Sequence, residues 1–193
     1  LFNDTARKVC EGQQFDMDYE TSAHVSIPEY MNMIRLKTAV LLACSLKLGA
    51  IIAGAPEADA DRIYDLGIEL GLAFQLRDDY LDAFGNADKF GKAIGGDIAA
   101  NKKTFLYIKA FELASGDDQA RLAQWFSHPA PEPDRKIREI LAIYRELGVP
   151  EQTRALIEHH HNRALAILQS FGFAGEWSAG LAFLMHEMLC REK

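Results

Sequence analysis

The sequence predicts an all-α fold. Apolar residues recur with helical period in almost every segment, and no stretch alternates apolar and polar residues as a half-buried strand does. Composition agrees. The chain has 193 residues, 49% of them hydrophobic and 25% charged, enough for a buried core and well outside disordered composition. At about 150 residues per domain it is expected to form a single domain over residues 1–193.

Residues 1–20 read as the end of a helix. Pro28 stands where the first turn of a helix tolerates proline. From there Tyr30, Ile34, Lys37, Leu41 and Leu48 lie along one broad face of a helix ending near Gly54. Pro56 opens the next helix, which carries Ile63, Leu66, Leu70, Phe74 and Leu81 as far as Gly85. Residues 85–103 read as a loop with Gly91, Gly95 and Gly96, and helix resumes over 104–113. Ser115-Gly116-Asp117-Asp118 reads as a turn before a short helix with Leu122 and Trp125. Pro129, Pro131 and Pro133 place an irregular connection at 127–134. Three helices, near 135–147, 151–171 and 175–190, complete the chain.

Acidic side chains number 28 against 21 basic ones, a formal charge of −7. That balance argues against a nucleic-acid footprint or a polybasic membrane surface. The apolar run Thr38–Gly54 is broken by Ser45 and Lys47 and falls short of about 18 clean apolar residues, so no transmembrane segment is expected. Cys10, Cys44 and Cys190 form no C-x-x-C pair, as expected of reduced thiols in a cytoplasmic protein.

The chemistry concentrates in Phe74-Gln75-Leu76-Arg77-Asp78-Asp79-Tyr80-Leu81-Asp82. At about 100° per residue from Asp78, Asp82 falls about 40° away, Gln75 about 60° and Asp79 about 100°. Gly71 shares that stripe and is expected to leave open space beside it. The rest of this helix is apolar, which places it inside the protein. Carboxylates crowded there raise their own pKa values or hold cations. Hard oxygens at this spacing suit Mg²⁺, which keeps several waters and shares its remaining positions with phosphate oxygens. A solvated acidic patch is the competing reading, and the apolar surroundings disfavour it.

Two further segments fit an anion beside that metal. Lys37-Thr38 lies within an apolar helix, where a lone lysine otherwise snorkels to solvent. Phe90-Gly91-Lys92-Ala93-Ile94-Gly95-Gly96-Asp97, continuing to Asn101-Lys102-Lys103-Thr104, combines glycines that let backbone N–H groups approach an anion with lysine charges. It is no P-loop, since G-x-x-x-x-G-K-[ST] is missing and the loop follows a helix. His159-His160-His161 point in three directions on a helix and read as a solvated patch. Arg191 and Lys193 read as an ordinary basic helix end.

FQxxDDxxD followed by G-K-x-x-G-x-D-x-x-x-x-K-x-T resembles the second aspartate-rich region of the trans-isoprenyl diphosphate synthases, the polyprenyl synthetase family. Gly12-Gln13-Gln14-Phe15-Asp16 resembles that family's G-Q-x-x-D, and Lys37-Thr38 its K-T pair. The four motifs run in order through about residue 110. The resemblance implies an antiparallel helical bundle and a prenyltransferase joining an allylic diphosphate to isopentenyl diphosphate with Mg²⁺, acting as a homodimer. It implies that Asp78, Asp79 and Asp82 hold Mg²⁺. Lys37, Thr38, Gln75, Lys92 and Lys102 would bind the allylic diphosphate, with Asp16 and Asp97 orienting lysines or metal-bound waters.

The family's first D-D-x-x-D region belongs well upstream of Gly12, and here only eleven residues precede it. The chain is therefore expected to be the C-terminal portion of a longer synthase, inactive by itself. A non-catalytic synthase-like subunit, which would tune an active partner, and a class I terpene cyclase are the alternatives. The repelling interior carboxylates disfavour the first, and the K-T and G-K segments disfavour the second.

Overall fold

In a computed structural model, which describes residues 1–85, 94–127, 132–172 and 176–189, every regular element is helical. The helices are α1 (Phe2–Thr21), α2 (Ile27–Ile34), α3 (Val40–Ile52), α4 (Glu57–Phe84), α5 (Gly96–Ala99), α6 (Phe105–Leu113), α7 (Gly116–Ser127), α8 (Pro133–Glu146), α9 (Val149–Gln169) and α10 (Glu176–Leu189). The chain forms two compact units. Among the described residues, one comprises Leu1–Asp16, Met31–Gln75 and 156–189; the other comprises Met17–Tyr30 and Leu76–Ala155. Among the described residues no helix is long and apolar enough to cross a membrane.

Local chemistry explains several boundaries. Ser26 and Glu29 form a reciprocal cap at the start of α2: the Ser26 N–H and hydroxyl donate to Glu29 Oε2 at 2.8 and 2.6 Å. Gly148, at φ +68°, makes the left-handed break between α8 and α9. The expected turn at Asp117-Asp118 is instead the first turn of α7, and the expected Gly-rich loop contains the short helix α5. A four-residue helix is too short for apolar periodicity to reveal.

The helix expected from Pro28 to Gly54 is interrupted. Arg35–Ala39 forms a π turn, in which the Val40 N–H reaches back to the Arg35 carbonyl. The extra residue changes the phase of everything after it. Tyr30 and Ile34 are buried as expected, but beyond the turn Val40, Ala43 and Cys44 face inward and Leu41 is half exposed.

In the first unit Leu66 and Leu70 of α4 pack with Ala164 and Leu168 of α9 and Met185 of α10, flanked by Leu42 and Leu46 of α3. Glycines bring backbones together around the π turn. A Cβ on Gly67 would lie 2.5 Å from Ala43 Cα, and one on Gly71 the same distance from Ala39 Cα. Gly71 therefore does not border open space. Ala39 fills it. Gly12 of α1 meets the backbone of Leu36 and Lys37 as closely.

In the second unit Ile98 of α5 joins Ala83, Leu106, Ala110, Leu122, Ile140, Ile143 and Tyr144 in one apolar core. Through Ile98, α5 is set against this core and α8.

Candidate active site

In the first unit the close approach of Gly12 brings α1 against the π turn that carries Lys37 and Thr38. Lys37 Nζ donates to the Asp16 carboxylate, an ion pair that holds a partly exposed ammonium in place. An ammonium has three N–H donors, so one acceptor leaves it competent to bind an anion. Thr38 Oγ1 donates to Gln75 Oε1 of α4 at 2.8 Å, which orients that amide.

In the second unit the C-terminal third of α4 carries the three aspartates, and the structure separates them. Asp78 is exposed. Asp79 is buried, and its Oδ2 accepts the hydroxyl of the fully buried Tyr30. Burial first, then the Asp79 carboxylate, pushes the Tyr30 phenol well above its ordinary range, so it stays the proton donor. Asp82 is partly buried. Its Oδ2 accepts the Asp97 N–H at 2.9 Å, and its carbonyl accepts the Gly95 N–H at 2.7 Å. Asp97 Oδ1 in turn pairs with Lys102 Nζ at 2.7 Å. The adjacent Lys103 points elsewhere: its Nζ donates to the Tyr19 and Glu20 carbonyls at 2.7 and 3.1 Å, closing the end of α1.

Burial raises the Asp82 pKa, and the carboxylates of Asp97 and Asp78 add to the rise while the Asp97 N–H and the Lys102 ammonium oppose it. The net rise means that a further cation beside this partly desolvated carboxylate would favour its ionised form. Among the described residues no three His, Cys, Asp or Glu side chains come together in a metal-binding group. Mg²⁺ commonly takes only one or two carboxylates, with water and phosphate oxygens completing its shell. Asp78 and Asp82, one helical turn apart, fit that pattern. Asp79, turned to Tyr30, does not.

Lys92, the basic tail and Cys190 lie outside the described residues. The histidines are less uniform than a solvated patch: His159 is exposed, but His160 Nδ1 lies 2.7 Å from the buried Glu69, which also pairs with Arg163 at 2.9 Å. Tyr30 went unrecognised as a site residue because it reads as one more member of an apolar stripe. A phenol within such a stripe, needing a buried acceptor, is the signal that could have found it.

Residues 1–144 match the family model described as polyprenyl synthetase. The chain belongs to the polyprenyl synthetase family. It is 38% identical over 157 residues to a short chain isoprenyl diphosphate synthase of Methanothermobacter thermautotrophicus, covering 81% of this chain and 47% of that protein. A geranylgeranyl pyrophosphate synthase crystal structure superposes with a TM-score of 0.92 at 44% identity, covering all of this chain and 60% of that one. A polyprenyl synthase from Caulobacter crescentus, crystallised with calcium and isoprenyl diphosphate, gives 0.90 at 25% identity, covering 100% of this chain and 58% of that one. The all-α fold is that of the isoprenoid synthases. The chain spans about half the length of the curated relatives it matches. The paired residues described above, Asp16 with Lys37, Thr38 with Gln75 and Asp97 with Lys102, all lie within the matched residues 1–144.

Proposed function

We propose that this chain supplies the allylic-diphosphate side of a trans-polyprenyl diphosphate synthase, a transferase that joins an allylic diphosphate to isopentenyl diphosphate. The observation that carries this reading is the repeated pairing of lysine with aspartate, Lys37 with Asp16 and Lys102 with Asp97, on segments that match the family's motifs. Each carboxylate sets the position of an ammonium, and charge-assisted bonds from such a fixed cation to phosphate oxygens are strong.

Lys37, Thr38, Gln75, Lys92 and Lys102 bind the allylic diphosphate in this reading. Asp78 and Asp82 would hold Mg²⁺, which stabilises the charge that develops on the departing diphosphate. Asp79 contributes by fixing α4 through Tyr30. A fixed cation favours the leaving group most when its charge is greatest. The same reading takes the complete enzyme as a cytoplasmic homodimer.

The test is a product assay on the complete protein, with radiolabelled isopentenyl diphosphate, Mg²⁺ and allylic starters of increasing length. Elongation that chelation abolishes supports the assignment. No elongation with any starter overturns it.

A further inference from the structure

Lys136 of α8 is fully buried, and the chemistry described so far leaves it without a role. Its Nζ donates to Asn101 Oδ1 and lies 4.6 Å from the centroid of the Phe126 ring. A buried ammonium against a neutral amide and a ring is poorly compensated. Its bond to Asn101 Oδ1 and its place over the Phe126 ring are what offset the cost of burying it. The residue it holds in return is Asn101.

Asn101 occupies a left-handed conformation, φ +59°, one residue past the C-cap of α5. The Lys102 N–H returns to the Asp97 carbonyl at 2.9 Å and the Asn101 N–H to the Ile98 carbonyl at 3.2 Å. These two bonds make a Schellman closure with Asn101 at its left-handed position. The turn brings Lys102 back beside Asp97, where their side chains pair. The next residue of α8, Ile137, packs against Gly95 before α5; a Cβ there would lie 2.6 Å from Ile137 Cγ2. Neighbouring residues of α8 thus seat both ends of α5.

We propose that Lys136 is a positioning residue for diphosphate binding: by holding Asn101 it fixes the turn that presents Lys102. This rests on the proposed role of Lys102. Lys136 acts through that residue and touches no substrate.

The test uses the complete protein, inorganic pyrophosphate with Mg²⁺ as the probe, and calorimetry as the readout, for K136M, K102A and the double variant. Lys136→Met should remain folded yet bind pyrophosphate about tenfold more weakly. The KM for the allylic diphosphate should rise in step, while that for isopentenyl diphosphate stays unchanged. In the K102A background Lys136→Met should have no further effect. Unchanged binding in K136M, where K102A weakens it, overturns the proposal. An equal loss in both backgrounds also overturns it, because the role is then merely structural. Pyrophosphate binding that K102A leaves intact overturns the role of Lys102 itself and the proposal with it. Should K136M fail to fold, Asn101→Gly replaces it, keeping the left-handed turn but removing the acceptor, with the same losses expected and the same results overturning.

Discussion

Tyr30 and Asp79, 49 positions apart, meet in a buried hydroxyl–carboxylate hydrogen bond. That contact divides a run of three aspartates into one that anchors α4 and two left for other chemistry. Tyr30→Phe removes the hydroxyl and keeps the ring, so Asp79 loses this donor while buried. The expected cost is about 1–3 kcal/mol by chemical denaturation. Asp79→Asn, whose amide oxygen still accepts, should cost less. Equal stability of Tyr30→Phe and wild type would remove the anchor role.

Asp78 should dominate the metal chemistry. In the complete protein, Asp78→Ala should lower turnover by orders of magnitude, since metal stabilisation of the leaving group amounts to several kcal/mol and each 1.36 kcal/mol is about tenfold. Asp82→Ala should lower it less. Rates at saturating Mg²⁺ decide between them, and near-wild-type turnover in Asp78→Ala would refute the assignment.

Lys37→Ala should weaken the allylic diphosphate and inorganic pyrophosphate about tenfold or more, as loss of a charge-assisted bond to phosphate does. Lys92→Ala is expected to behave alike. Affinity for isopentenyl diphosphate should barely change. Separate dissociation constants for the two substrates provide the check, and equal weakening of both would contradict the roles given.

Two glycine substitutions should have opposite signs. Gly71→Ala sets a Cβ against the backbone of Ala39, which cannot move aside, and should destabilise by about 1–3 kcal/mol. Gly49→Ala, in α3 with no other atom within 4 Å, should stabilise by about 0.5–1 kcal/mol through helix propensity. Denaturation midpoints of the two variants against wild type test the pair.

Burial lowers the Lys136 pKa from 10.5 to about 8. Between those values the unfolded chain binds the proton and the folded chain does not, so stability rises with pH across that window. Below it both states are protonated, and the cost of the buried charge is constant. Wild type should therefore gain stability relative to K136M on going from pH 7.5 to 9.5. Parallel curves for the two proteins would contradict a depressed Lys136.

The helical class, the α4 segment and the order of the four motifs were legible in the sequence, because side chains three and four positions apart share a helix face wherever the helix lies. The phase of α3 was not legible. It follows from one π turn packed under Gly12 and beside Gly71, and no local periodicity encodes an inserted residue whose support comes from other helices. Likewise Asp78, Asp79 and Asp82 are nearly equivalent by spacing. Only the arrival of Tyr30 from a remote segment buries one of them and leaves another in solvent. Lys136 is the clearest case, an apparently ordinary basic residue on an amphipathic helix. Its meaning comes from Asn101, 35 positions away, and from the burial of the lysine itself, which a linear pattern of apolar and polar letters does not contain.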